Sequence, residues 1–201
     1  MTLKKRKFFV IEYKPDSSGI PHYIDKKFTP ELPVFNIHDG LPNLTVFSNS
    51  YTLKSSVENL NGDYYPLDDL ASEKMLSLCS QMGVQFFSIP VEVELSDKKK
   101  PAKKYNIFYL KKYISIIDQQ ASNFEIDDFD ASVNDDNERV FYSKIEKFVV
   151  KEEVQDDLFF CTDIGKPVCS LNFQDLFINH GLTGVSFTPI DDSYTYDEWE
   201  D

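Results

Sequence analysis

Apolar and polar positions along this chain follow two different periods, and the places where one gives way to the other outline the fold. Residues 7–14, Lys-Phe-Phe-Val-Ile-Glu-Tyr-Lys, are aromatic and β-branched. They end at a run containing Pro15, Ser17, Ser18 and Gly19, which predicts a first strand. From 15 to 66, Pro, Asn, Asp and Gly interrupt short apolar pieces, so loops are expected there, with short strands near 33–37 and 45–53. Over 67–82 the period changes. Leu67, Leu70, Ala71, Met75, Leu78, Cys79 and Met82 recur three and four apart, as on one face of a helix. Pro66 suits its first turn, Asp68 and Asp69 suit the positive end of its dipole, and Gly83 suits its stop.

Strand character returns over 84–95, where Ile89, Val91, Val93 and Leu95 alternate with Glu92 and Glu94, and again over 105–117. The two runs are expected to pair as a hairpin whose tip is the basic loop 96–104. Residues 127–138 are polar, acidic and without period, and read as an exposed loop. Further strands are expected at 139–150, 158–161, 167–169 and 182–188. A short helix over 172–180 brings Phe173, Leu176 and Phe177 onto one face and is closed by Gly181. No repeat is visible in this order. It predicts an α+β fold, with an antiparallel or mixed β-sheet and two or three helices. Residues 1–201 are expected to form one domain, with room for a looser N-terminal subdomain over 1–103 and an acidic tail over 191–201.

The composition is that of a folded chain. Of the 201 residues, 41% are hydrophobic and 14% aromatic, and a chain of this length buries roughly 70% of the surface its unfolded form exposes. It needs no disulfide or metal to fold. Cys79, Cys161 and Cys169 are odd in number and show no paired spacing, so they are expected as buried free thiols in a reducing compartment. The apolar run after Lys4-Lys5-Arg6-Lys7 stops at Glu12, too short for a secretory signal, and no run could span a bilayer. A soluble, cytoplasmic protein is expected.

Charge changes the picture further. Residues 1–112 hold 16 Lys/Arg against 13 Asp/Glu, a net of +3, while 113–201 hold 5 against 21, a net of −16. Such a half repels nucleic acid and anionic membranes and attracts a basic protein. Lys98, Lys99, Lys100, Lys103 and Lys104 are read as a solubilising hairpin tip. His22, His38 and His180 sit in no catalytic motif. An EF-hand register started at Asp127 reaches Glu138 at position twelve but puts Ser132 where the turn needs Gly. The pairs Glu152-Glu153 and Asp156-Asp157 have polar neighbours, not the apolar pocket that drives two carboxyl pKa values apart. With seven Gly in the chain, no phosphate loop can be traced. No catalytic residue, cofactor or metal ligand is assigned. What remains is the tail, where Asp197, Glu198, Trp199 and Glu200 join an aromatic anchor to negative charge, as protein interfaces do.

The segment Asn172-Phe173-Gln174-Asp175-Leu176-Phe177-Ile178-Asn179-His180-Gly181-Leu182-Thr183-Gly184-Val185-Ser186-Phe187-Thr188-Pro189 resembles the closing helix and strand of a bacterial immunity-protein family from polymorphic toxin systems, once a domain of unknown function. Tyr105-Asn106-Ile107-Phe108 with Ile117-Asp118 is similar to an upstream part of that family. So is the stretch 148–163 before Ile164-Gly165-Lys166-Pro167, and the likeness spans 104–190. The resemblance implies a small cytoplasmic protein, made beside a toxin gene, that binds the toxin and blocks it. It carries over no catalytic residues. The expected partner is therefore a basic cognate toxin, met by Asp127, Asp128, Asp130, Asp135, Asp136, Glu138, Asp197, Glu198, Trp199 and Glu200. Two other readings stay open: an acidic metal-dependent hydrolase or ligand-binding protein, and an adaptor protein of a phage or secretion gene cluster.

Overall fold

The computed structural model describes residues 6–36, 40–126 and 140–199. Its strands are β1 (Phe8–Tyr13), β2 (Lys27–Thr29), β3 (Tyr51–Lys54), β4 (Tyr64–Tyr65), β5 (Leu70–Ser72), β6 (Phe86–Glu94), β7 (Tyr105–Leu110), β8 (Tyr113–Ile114), β9 (Asn123–Ile126), β10 (Tyr142–Lys147), β11 (Leu158–Cys161), β12 (Lys166–Ser170), β13 (Val185–Pro189) and β14 (Tyr196–Asp197). Helix α1 (Glu73–Gln81) follows β5, and α2 (Leu171–Asn179) follows β12. The strands form three sheets, ordered β2-β3-β6-β7-β5-β4, β13-β1-β12-β11-β8 and β14-β10-β9. This is the expected α+β class. β6 and β7 pair antiparallel from Phe86↔Leu110 to Val91↔Tyr105, so the hairpin carrying the basic loop is present.

The predicted helix over 67–82 is half right. Residues 66–69 are a turn, and Leu70–Ser72 is a strand paired with β7. Leu67 is 75% exposed instead of lying on an apolar stripe. The helical spacing of Leu67, Leu70 and Ala71 was coincidental, because Ser72 supplies a better start. Its side chain accepts the Met75 N–H at 3.2 Å, and that capping bond fixes where α1 begins. Asp68 and Asp69 therefore face no helix dipole. The predicted strand at 33–37 is absent over the described 33–36, and the one at 45–53 shortens to β3. In the tail, β14 pairs with β10 where sequence alone suggested no strand.

Two halves of the chain repeat one motif in permuted order. β5 meets β7 at Leu70↔Ile107, Ala71↔Asn106 and Ser72↔Tyr105. β12 meets β1 at Val168↔Val10, Cys169↔Phe9 and Ser170↔Phe8. Each strand ends in a buried serine that caps a nine-residue helix, with Ser170 accepting from Phe173 N at 3.2 Å as Ser72 does from Met75. Each serine hydroxyl donates to an aspartate, Asp63 at 2.7 Å and Asp157 at 2.5 Å. Each serine N–H also donates to the carbonyl of that same aspartate. Each aspartate pairs with a cation just ahead of the neighbouring strand, Lys103 before β7 and Arg6 before β1. The next backbone N–H after each serine, of Glu73 or Leu171, binds the carbonyl of Lys104 or Lys7. The helices end alike at Gly83 and Gly181, both at positive φ. The returning strands bring Pro90 opposite Asn106 and Pro189 opposite Phe9. β1, at the start of the chain, thus fills the place in the second unit that β7 fills in the first.

The two units share one core. Met75, Leu78 and Cys79 of α1 and Phe173 and Phe177 of α2 pack with Tyr64, Phe108, Ile11 and Phe160 from the two larger sheets. The sheets are joined where Asp63 N and Tyr64 N both donate to Thr183 O, at 2.7 and 3.2 Å. Gly184 makes that approach possible. Its φ is +110°, and a Cβ there would lie 2.4 Å from the Tyr64 carbonyl oxygen. A second core, with Phe148, Phe159 and Tyr142, joins the small sheet to the β13-β1-β12-β11-β8 sheet, and a third lies under the loops before β4.

The two aspartates differ in depth. Asp63 is 1% exposed and also accepts the Thr183 N–H and hydroxyl, whereas the Asp157 and Arg6 side chains keep 23% and 29% of their exposure. Asp63→Ala strands Lys103, Ser72 and Thr183 together and is expected to cost about 3 kcal/mol in urea unfolding. Asp157→Ala is expected to cost about 1 kcal/mol. Equal or negligible losses would contradict this account of the repeat.

Candidate functional site

The four-residue turns at the tips of the β4–β5 and β11–β12 hairpins, 66–69 and 162–165, occupy equivalent places in the two units. A cleft of about 790 Å³ opens between them. Ile11, Tyr109 and Phe160 line it, and the segment 32–36 closes one side. Phe35 holds that segment in place, with its ring 5.2 Å from Tyr109 and 6.2 Å from Phe47, both edge-on. Val34 and Leu67, both highly exposed, form an apolar rim. A second hollow of about 270 Å³ shares Asn36, Phe160 and Gly165 with the first and runs on to Phe141, Tyr196 and Glu198. The two hollows adjoin at those shared residues and form a two-part trough.

One acid in this trough is unusual. Asp69 ends its turn at φ +53°, where the equivalent residue of the other hairpin is Gly165 at φ +62°. Left-handed backbone costs a non-glycine residue on the order of 1 kcal/mol. The Asp69 carbonyl accepts the Phe108 N–H at 2.8 Å. Burial pushes its carboxyl up to about 6, against the pull of Lys26 and with a push from Asp68, while the Tyr109 hydroxyl donates to it. Lys26 itself sits 2.9 Å from Asp68. Glu12, also in the trough, is occupied by Lys166 at 3.2 Å and by the Thr188 hydroxyl at 2.8 Å.

The sequence-predicted interface residues divide sharply. Asp127, Asp128, Asp130, Asp135, Asp136, Glu138 and Glu200 lie outside the described residues. Asp197 is on β14 opposite Lys144, which also faces Glu125 across β9. Glu198 N donates to Ser143 O at 3.0 Å, and Trp199 N to the Asp197 carboxylate at 3.0 Å. Tyr194 and Tyr196 pack against the second core, so the tail is held on the fold while Trp199 stays 79% exposed. The small sheet therefore presents Glu125, Glu146, Asp197 and Glu198 against Lys144 and Lys147, with Ile126, Phe141 and Trp199 exposed beside them.

Sequence reasoning missed Asp69, Val34, Leu67 and Phe141. The one signal was the Pro66-Leu67-Asp68-Asp69 run, which also fits a turn. All three cysteines are buried and free, and burial raises their thiols, Cys79 to about 12. Among the described residues no group of three His, Cys, Asp or Glu is placed to hold a metal ion, and no helix is long and apolar enough to cross a membrane.

The model of the Immunity protein family (Imm11) matches residues 63–192, well over half of the chain. This chain belongs to the Imm11 family. No curated protein matches it. The Imm11 match begins at the buried Asp63 and runs through both capped helices to just past β13. It takes in Asp69 and both hairpin tips, and stops before β14 and Trp199.

Asp69 gives the first test of the site. Its carboxyl titrates higher in the folded chain than in the unfolded one, so its contribution to stability is full below about pH 4 and is lost as pH rises through about 6. Asp69→Asn removes that loss. The variant is expected to be more stable than the parent by about 2 kcal/mol at pH 7. The gap should shrink to little at pH 4, as followed by urea unfolding across that range. A gap that does not vary with pH would contradict a desolvated carboxylate.

Proposed function

We propose that this protein binds and neutralises a cognate bacterial toxin without itself catalysing a reaction, and that the toxin surface it meets is basic. Membership of an immunity-protein family is the observation that carries this reading. The acid-rich face of the β14-β10-β9 sheet supports the choice of surface. It sets four acids against Lys144 and Lys147, with Phe141 and Trp199 exposed beside them, which is the mixture of steering charge and apolar anchor that interfaces use. Asp127, Asp128, Asp130, Asp135, Asp136 and Glu138 fall between β9 and β10 in sequence, and we propose them as further members of the toxin-binding set. Asp197, Glu198 and Trp199 lie beyond the family match, where residues suited to one particular toxin are expected.

In this reading, inhibition is occupation. An acidic face covers a positively charged functional surface of the toxin, and the attraction speeds their encounter. Three buried, free thiols suit action in the reducing cytoplasm, as part of a polymorphic toxin system.

The test uses the product of the adjacent gene, co-purified with this protein and then titrated by calorimetry and stopped flow. A 1:1 complex is expected, with association slowed by added salt. Asp197→Lys with Glu198→Lys should slow association about tenfold and flatten the salt dependence. Trp199→Ala should act mainly on dissociation, weakening binding about tenfold or more. If the neighbouring product is no toxin, or does not bind, the proposal fails.

A further inference from the structure

The acidic sheet face is reached from the trough, and the trough contains a residue that the fold does not require. Asp69 occupies a left-handed turn position that its counterpart fills with Gly165. It places a carboxylate against apolar walls, and Lys26, which pulls on it, is already in contact with Asp68. Glycine at 69 would relieve the backbone and remove the desolvated charge. A residue that costs stability in both ways, beside an open cleft, is what a binding site retains.

The chemistry of the cleft narrows the occupant. Of the two carboxylates lining this cleft, Glu12 is engaged by Lys166 and Thr188, and the other, Asp69, cannot alone hold a metal ion, which wants several ligands. It does suit one guanidinium or ammonium group, whose charge would offset the desolvation of Asp69. Val34 and Leu67 at the rim offer apolar contact to the residues flanking that cation. The trough then leads past Gly165 to Phe141 and Glu198, which suits an extended chain better than a compact ligand. In the second hollow Asp163 is buried and already accepts the Ile116 and Ile117 N–H groups, while Glu198 at the far end adds an exposed negative charge, and the trough's Lys166 is held by Glu12.

We propose that Asp69 is the anchoring carboxylate of this trough, and that it receives an arginine or lysine side chain carried by an extended, otherwise apolar segment of the toxin. The inference rests on the toxin-binding reading above and deepens it from a charged face to a specific seat. Tyr109 orients the carboxylate through its hydroxyl, and Phe35 keeps the wall of residues 32–36 in place.

The experiment is calorimetric titration of the adjacent gene product into the full chain, its Asp69→Asn and Asp69→Gly variants, and the Asp197→Lys/Glu198→Lys variant, each with a melting curve. Both Asp69 variants are expected to melt at or above the parent temperature, yet bind about 30-fold more weakly. Parent-like affinity in both Asp69 variants would overturn the anchoring role, while weakening by Asp197→Lys/Glu198→Lys would leave the toxin-binding reading standing. Failure of the parent protein to bind would overturn both.

Discussion

The fold depends on an aspartate that holds a strand, a helix start and a cation at once. Asp63 accepts the hydroxyl of Ser72 with its side chain and the Ser72 N–H with its carbonyl, while Lys103 neutralises it. Because the serine is at the same time the helix cap, the aspartate fixes the point where β5 stops and α1 begins. Asp157 does the same for Ser170 and α2, with Arg6 as its cation. In each unit the cation lies just before the neighbouring strand, so one set of contacts also sets the register of that strand against its partner. A buried carboxylate is costly unless its lone pairs are filled. At Asp63 four donor groups fill them.

The duplication has a functional consequence. Two like units that share a core of helices bring their hairpin tips near one another, and the cleft lies between those tips. Its two sides are alike in backbone but not in chemistry. One turn ends in glycine and the other in a partly buried aspartate, so a symmetric frame carries an asymmetric charge. The small sheet β14-β10-β9 then extends the cleft toward Glu198 and the exposed Trp199.

Much of this was legible from the residues, and what was not has physical causes. The β6–β7 hairpin, α2 and the ends of both helices followed from alternation, from helical spacing and from Gly83 and Gly181. The start of α1 did not, because Leu67, Leu70 and Ala71 happen to continue a helical spacing and only long-range pairing with β7 makes Leu70–Ser72 a strand. The repeat was hidden because it is permuted. Its final strand stands at the beginning of the chain, and the Asp-to-Ser intervals differ, 63 to 72 in one unit and 157 to 170 in the other. The resemblance carried by Leu182-Thr183-Gly184-Val185 proves to mark a structural seam, since Gly184 is where the two sheets meet. The site was harder to read. Asp197, Glu198 and Trp199 were identifiable by composition, whereas Asp69 gains its character only from the cleft that folding builds around it.

The most direct test of the central claim is hydrogen-exchange footprinting of the complex with the adjacent gene product. The account predicts slowed exchange in the 32–36 segment, in the 66–69 turn and over 194–199, with α1 and α2 unchanged. Protection confined to the helices, with the cleft and the tail exchanging as in the free protein, would contradict it.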